Sequence, residues 1–401
     1  MGERNNHFWD NILQPIVCAI VLLLIIGAIN VFSSTFVMDH YESQNAYYHL
    51  FRHLGMMALG LVGMLLAYHV DYQRMRSAVP IGTAITVAFL LMVPLLGVET
   101  NGARRWLNFG FIFQPSELAK LFAIAIAASF LAKSIENGER VYYLSRQYRF
   151  ILGEPLLVAL FMGALVMLQP DLGTTMVIVG IPLILIFLAG APLKEVGLFL
   201  AVSVIMLVIL VVFEPYRLNR FTSYYDPWSY RQTNGYQTVQ SLIAIGSGGL
   251  LGQGMGDGIS KFFYLPEAHT DFAFAVFGQE WGFLGVIALL LLFTILIFYG
   301  FRTANYAPDT YGALLAAGLT LFLGGQGVFN IGMVCGLLPV TGIPLPFISY
   351  GGTSLIINMF AAGVLMNIAR QGWQRQLLIP KRTPRMAVKS PTKPRQKLTR
   401  V

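Results

Sequence analysis

Tyr264-Leu265-Pro266-Glu267-Ala268-His269-Thr270-Asp271-Phe272 runs without a break into an almost wholly apolar stretch that ends near Tyr299. A segment of that length and composition crosses a bilayer as a helix. Glu267, His269 and Asp271 therefore stand at a membrane boundary, where ionisable groups are costly and usually have a function. Asp271 has two open readings at this point. Thr270 or Asp271 suits the N-cap of the helix that follows, and a carboxylate at this depth also suits chemistry.

The rest of the chain agrees with a membrane setting. Of its 401 residues 56% are hydrophobic and only 11% are charged, with a mean hydropathy of +0.65. Soluble domains carry about a quarter charged residues, so an ordinary soluble enzyme or nucleic-acid binder is excluded. Apolar spans are expected at Pro15–Phe36, Leu50–Val70, Ala78–Val98, Glu117–Lys133, Ile151–Gln169, Leu172–Ala191, Val196–Phe213, Phe272–Tyr299, Thr310–Leu338 and Phe347–Ile368. The expected fold is an all-α polytopic membrane protein of about ten transmembrane helices, with a large outer loop between helices 7 and 8.

Lys and Arg concentrate on the cytoplasmic side of such proteins. Placing both termini there puts Arg74, Arg76, Lys133, Arg140, Arg146, Arg149, Lys194, Arg302 and the basic tail inside. Residues 1–14 then read as a cytoplasmic N-terminus, 15–370 as the membrane domain with its outer loop at 214–270, and 371–401 as a basic cytoplasmic tail. That tail has little to bury and is expected to be disordered, with anionic lipid as one neighbour. The net charge of +8 resides largely in it. The first span lacks a small-residue cleavage site after its apolar run, so it reads as retained. Cys18 and Cys335 lie far apart in apolar spans and read as packed thiols.

The few outer basic residues are conspicuous. Arg104 and Arg105, beside Trp106, occupy a short outer segment, and Arg217, Arg220 and Lys261 occupy the long loop. Guanidinium forks bind phosphate oxygens, so these side chains suit a lipid's phosphate or pyrophosphate; headgroup snorkelling is the alternative, and it is favoured for Arg52. Gln169-Pro-Asp-Leu-Gly173 reads as a tight turn in which Asp171 is more a turn former than a catalyst. Glu117 and Lys120 stand at i, i+3 and can pair on one helix face, as a structural pair or as the lining of a polar cavity. Tyr236–Leu251 and Gly252-Gln-Gly-Met-Gly-Asp-Gly258 read as short surface helices joined by glycine turns. Pro344-Leu-Pro-Phe-Ile-Ser-Tyr-Gly-Gly-Thr-Ser354, with Ser349, is a broken start to the last span, tolerated where backbone is buried or lines a cavity. Asp271, Arg104, Arg105, Asp171 and the Pro344–Ser354 break all fall at the outer ends of their spans and suggest one outward-facing cavity.

Five of the motifs resemble, in order, the signatures of the SEDS family, the FtsW/RodA/SpoVE proteins of bacterial cell-wall synthesis. They are Asn101-Gly-Ala-Arg-Arg-Trp106, Gln114-Pro-Ser-Glu117, Gln169-Pro-Asp-Leu-Gly173, Tyr264–Phe272 and Pro346-Phe-Ile-Ser-Tyr-Gly-Gly352. The resemblance implies ten spans and a peptidoglycan glycosyltransferase that polymerises lipid II on the outer face of the cytoplasmic membrane. It implies a class B penicillin-binding protein as partner, among other divisome or elongasome membrane proteins. It puts the family's essential aspartate on Asp271 and its first-loop tryptophan on Trp106. Asp226-Pro-Trp228 and the Glu-Ala-His of the central motif resemble the division or sporulation branch, with the elongation branch as the alternative. The family usually shows Gly-Glu-Glu after the aspartate, whereas this chain has Gly278-Gln279-Glu280.

On this reading Asp271 takes a proton from a sugar hydroxyl as general base. Arg104, Arg105, Trp106, Lys120, Arg217, Arg220, Lys261, Glu267, His269, Glu280 and Ser349 are the expected substrate contacts. No cofactor is expected apart from an optional divalent cation (Mg or Mn) for the pyrophosphate. A lipid II flippase and a scaffold that only recruits the transpeptidase are the competing functions.

Overall fold

The computed structural model describes residues 12–42, 45–100, 103–138, 153–194, 196–201, 203, 223–262 and 264–378. Most of the expected span Val196–Phe213, together with Arg217, Arg220, residues 1–11 and the tail from 379, lies outside the described residues. Within them the chain is a bundle of helices: α1 (Leu13–Glu42), α2 (Tyr48–His69), α3 (Tyr72–Leu96), α4 (Pro115–Glu136), α5 (Gly153–Met167), α6 (Leu172–Leu188), α7 (Tyr236–Ser247), α8 (Ala273–Tyr306), α9 (Thr310–Val334) and α10 (Gly352–Leu378). Seven of these are long and apolar enough to cross a membrane, and α5 and α6 are shorter apolar helices at two further expected spans.

Local signals begin the helices. Pro115 opens α4, where its missing N–H costs nothing. The side chains of Asp71, Asp171 and Asp309 accept hydrogen bonds from Gln73, Thr174 and Gly312 N–H groups at the starts of α3, α6 and α9. In the interior, α4 packs against α3, α5, α6 and α9. Its face carries Ala119, Ala123, Ala127, Ala128 and Ala132, all fully buried, and small residues let membrane helices approach closely. By contrast α2, which lies along α10, leaves Leu59, Val62 and Leu66 exposed, as a lipid-facing helix does.

Two features depart from a plain helical reading. The segment between α3 and α4 is a small antiparallel meander, β1 (Val98–Thr100), β2 (Ala103–Asn108) and β3 (Ile112–Phe113), with Glu99 opposite Arg104 and Val98 opposite Trp106. Helix α8 is broken at Gly282, whose φ of 62° is left-handed. The backbone groups released there are paired by the glycine-rich loop. Gln253 and Gly254 N–H donate to the Gln279 and Glu280 carbonyls, and Phe283 and Leu284 N–H donate to the carbonyls of Gly249 and Leu250. A Cβ on Gly282 would lie 2.2 Å from the Gly252 nitrogen. Broken helices persist at membrane depth when protein re-satisfies the backbone in this way.

Candidate active site

The turn carrying Asp271 is held from three sides. Asn330, fully buried on α9, donates its amide to the carbonyls of Asp271 and Ile343, both at 2.7 Å. That amide ties the turn to the irregular segment between α9 and α10. Tyr350 N–H donates to the His269 carbonyl at 2.8 Å. A Cβ on Gly342 would stand 3.3 Å from Asp271 Oδ2, so the carboxylate lies directly against this glycine. Asp271 itself is half-buried. The N-cap of α8 is Phe272, and the Thr270 hydroxyl turns back to Glu267 Oε2 at 2.6 Å. Asp271 thus stands one residue before the assigned cap, at the entry to α8.

A chain of contacts links Arg105 and the Gln169–Gly173 turn to the Asp271 turn. Arg105 donates from Nε to the Gln169 carbonyl at 3.0 Å and from Nη2 to the Pro170 carbonyl at 2.5 Å. Gly173, in the same turn, approaches Thr341 so closely that a Cβ would lie 2.7 Å from its carbonyl oxygen. Thr341 adjoins Gly342 and hence Asp271. Asp171 accepts from Thr174 N–H (3.0 Å) and its hydroxyl (2.9 Å), which makes it the cap of α6.

Four of the expected substrate contacts are paired within the protein. Lys120 is buried at 1% exposure, 2.8 Å from Glu117 Oε1, and donates to Gln326 Oε1 at 2.9 Å. Phe322, in a π-helical turn of α9 (Leu321–Gly325), places its ring 5.5 Å from the ammonium. The expected i, i+3 pair is formed within the buried part of α4. Lys261 and Glu280 form a second buried ion pair at 2.9 Å, joined by the Ser33 hydroxyl and the Gly256 N–H. Ser349 Oγ accepts from Leu345 N–H at 2.9 Å and closes its own turn. Through these bonds the four side chains hold helices, loop and turn together.

Gln279 also has a local account. Its Oε1 accepts from the backbone N–H and hydroxyl of Ser260, while Nε2 donates to Ser247 Oγ at 2.9 Å. A carboxylate here would accept from Ser260 but could not donate to Ser247. Arg104 pairs across the strands with Glu99 at 3.3 Å, with both side chains more than half exposed. Its guanidinium thus remains at the surface, on the strand that carries Arg105 and the half-buried Trp106. Glu267 is exposed and adopts a left-handed φ of 55°. A cleft of about 440 Å³ lined by Phe32, Phe36, Met255, Lys261 and Phe262 lies beside the second ion pair, and Asp271 does not line it. Among the described residues no group of three or more His, Cys, Asp or Glu side chains is placed to hold a metal ion.

Sequence reasoning missed Asn330, Asp39 and His49. Asp39 on α1 is fully buried and accepts from the His49 N–H at 3.0 Å, and its other oxygen meets His49 Nδ1. The His49 ring lies against those of Tyr350 (centroids 5.0 Å apart) and His269 (5.8 Å). A lone amide in the span of α9, and the His49/His53 pair at i, i+4 entering α2, were the available signals.

This geometry has known counterparts. The family described as cell cycle proteins, FtsW, RodA and SpoVE, matches residues 14–374. The chain belongs to this family. Stage V sporulation protein E of Bacillus subtilis is 40% identical over 353 residues, covering 87% of this chain and 94% of that protein. A probable peptidoglycan glycosyltransferase FtsW of Coxiella burnetii is 38% identical over 380 residues, covering 92% and 99%. Among solved structures, one described as a peptidoglycan synthase complex coordinating polymerization and crosslinking superposes with a TM-score of 0.72 at 29% identity, covering 92% of this chain and 99% of that one. The rod shape determining protein RodA of Thermus thermophilus gives 0.65 at 27% identity, covering 93% and 100%. Family membership and the apolar helices make the chain a multi-pass protein of the cytoplasmic membrane.

Proposed function

We propose that this chain is a peptidoglycan glycosyltransferase that polymerises lipid II at the outer face of the cytoplasmic membrane, with Asp271 as its general base. The observation that carries this reading is the Asp271 turn. It presents a half-buried carboxylate at the entry to α8, held by Asn330 and by the Tyr350–His269 backbone bond against Gly342. The acceptor sugar's 4-hydroxyl attacks the donor's anomeric carbon, its proton passes to Asp271, and the bond to the lipid pyrophosphate breaks with the electron pair leaving on oxygen. A neutral hydroxyl is a poor nucleophile, and a positioned base typically contributes about 10²–10⁴-fold. One displacement with one base predicts inversion at the anomeric carbon, by analogy with inverting glycosidases.

The pyrophosphate leaves without protonation but needs positive charge. Arg104 is a described candidate whose guanidinium remains at the surface, and Arg217 and Arg220 belong to the same proposal although they lie outside the described residues. Trp106, Glu267 and His269 are proposed sugar or peptide contacts. Both termini are proposed to be cytoplasmic, and a class B penicillin-binding protein is the proposed partner. The relatives named FtsW and SpoVE support a division or sporulation role.

Purified protein in detergent, supplied with lipid II, tests the reading directly, because no bilayer remains to be crossed. Glycan strands are expected from the wild type and none from Asp271→Asn, with the variant still folded and membrane-inserted. Wild-type polymerisation by Asp271→Asn would remove the aspartate from the mechanism. A wild type that makes no glycan, alone or with its transpeptidase, would favour transport or recruitment.

A further inference from the structure

Near the Asp271 turn a second acid–base pair stands that the proposed mechanism leaves unused. Asp39, at the site end of α1, is completely buried, and both of its oxygens are directed at His49, one to the backbone N–H and one to the ring. A buried carboxylate on a histidine fixes the ring's orientation and its tautomer. The ring so fixed touches two others. Tyr350 meets it edge-on at 5.0 Å between centroids, His269 is tilted at 5.8 Å, and His269 and Tyr350 are themselves 5.8 Å apart. The three rings form a closed triangle at distances typical of aromatic pairing. Two of its corners are the residues whose backbones are joined by the Tyr350 N–H to His269 carbonyl bond, and His269 precedes Asp271 by two positions.

A triangle of this kind transmits position. The turn at Glu267–Asp271 is irregular, with Glu267 in a left-handed conformation, and such backbone keeps its geometry only when its surroundings over-determine it. Asn330 fixes one side of the turn through the Asp271 carbonyl. The opposite side, around His269, is held by the Tyr350 backbone bond and packed against the rings. We propose that His49, tethered by Asp39, is a positioning residue of the transferase reaction: its ring wedges the His269–Tyr350 pair and so holds the turn that presents Asp271. The proposal rests on the reading of Asp271 as the base.

The test separates tether from wedge. His49→Ala removes both. His49→Asn keeps a side-chain N–H for Asp39 and removes only the ring. Full-length protein in detergent is assayed with lipid II for kcat and KM, and its thermal unfolding midpoint is recorded. His49→Ala is expected to lower kcat by about 10- to 100-fold, the scale of a misplaced catalytic group, with KM within about threefold. His49→Asn is expected to recover most of the unfolding midpoint while kcat stays low. Recovery of kcat in step with the midpoint would overturn the proposal, since His49 would then be only a tether. Should His49→Ala fail to fold, the His49→Asn comparison alone decides the matter. Asp271→Asn run alongside keeps the two readings apart. If it is inactive while both His49 variants keep wild-type kcat, only the positioning role falls; if it polymerises normally, the role of Asp271 itself falls.

Discussion

The two ends of the helical bundle are built differently. At the end away from Asp271, side chains close the helix termini. Asn367 donates its amide to the carbonyls of Ala67, Tyr68 and Val70 at the end of α2. Arg76 reaches the Ser129 carbonyl and Glu136 on α4, Tyr72 meets Asp309, and Arg375 meets the Pro308 carbonyl. The Asn367 bonds reach carbonyls at the end of α2, which have no partner within that helix. The Asp271 end has left-handed backbone at Glu267 and Phe347, an irregular segment from Thr341 to Gly351, and glycines packed against carbonyls. Strained backbone of this sort collects where geometry serves function. One end secures the bundle, and the other spends conformational freedom on placing a carboxylate. The comparison predicts that substitutions at the first end lower stability and spare kcat, whereas those at the second affect both.

The largest effect is expected at the break in α8. Gly282→Ala combines a left-handed φ with a Cβ 2.2 Å from the Gly252 nitrogen. We expect either no folded protein or a loss of about 5 kcal/mol, the range of the most damaging single substitutions. Gly180→Ala, on α6 with open space around its Cα, should stay within about 0.5 kcal/mol. Thermal unfolding in one detergent compares the two, and equal midpoints would mean that the loop does not seal the break.

The Lys261–Glu280 pair comes next. Lys261→Met strands a carboxylate that is 1% exposed, at a cost of roughly 3–5 kcal/mol. Lys261→Met combined with Glu280→Gln should recover most of that, because the amide still accepts from Ser33 and Gly256. A double variant as unstable as the single one would argue that the ammonium has another partner, such as a bound anion.

How much of this was legible follows from the range of each interaction. The helical spans were readable because each is a long local run of apolar residues, and Glu117–Lys120 because both partners share one helix turn. Lys261–Glu280 joins a surface loop to α8, and Asp39–His49 joins two helices, so neither has a local signature. The meander escaped notice because strands of two to six residues carry too few positions for alternation to register. The break at Gly282 was hidden for a different reason. Trp281-Gly282-Phe283 looks like any membrane-helix glycine until the loop that replaces its hydrogen bonds is seen. Asp271 could be singled out from its setting and its motif, but the Asn330 amide that ties its turn to Ile343 comes from a distant helix and has no local signature.

At the opposite end, Asn367→Ala removes the amide shared by the Ala67, Tyr68 and Val70 carbonyls and should cost about 1–3 kcal/mol. Activity per folded molecule should not change. A fall in kcat at this distance from Asp271 would break the division of labour between the ends.

The smallest effect sharpens the comparison within the site itself, between two adjacent arginines on β2. Arg105 is committed to the Gln169 and Pro170 carbonyls, so Arg105→Ala should lower stability by about 1–2 kcal/mol and loosen the turn that abuts Thr341. Arg104 makes only an exposed pair with Glu99, and such pairs contribute about 0–1 kcal/mol. Arg104→Ala should therefore leave the unfolding midpoint almost unchanged. Its effect belongs in the kinetics: a guanidinium that meets the donor pyrophosphate raises KM for lipid II when removed, and more so at low ionic strength, where screening is weak. If Arg104→Ala changes neither midpoint nor KM while Arg105→Ala changes both, the strand serves the site only by bracing the Gln169–Gly173 turn. The pyrophosphate charge must then be met from elsewhere, with Arg217 and Arg220 the next side chains to replace.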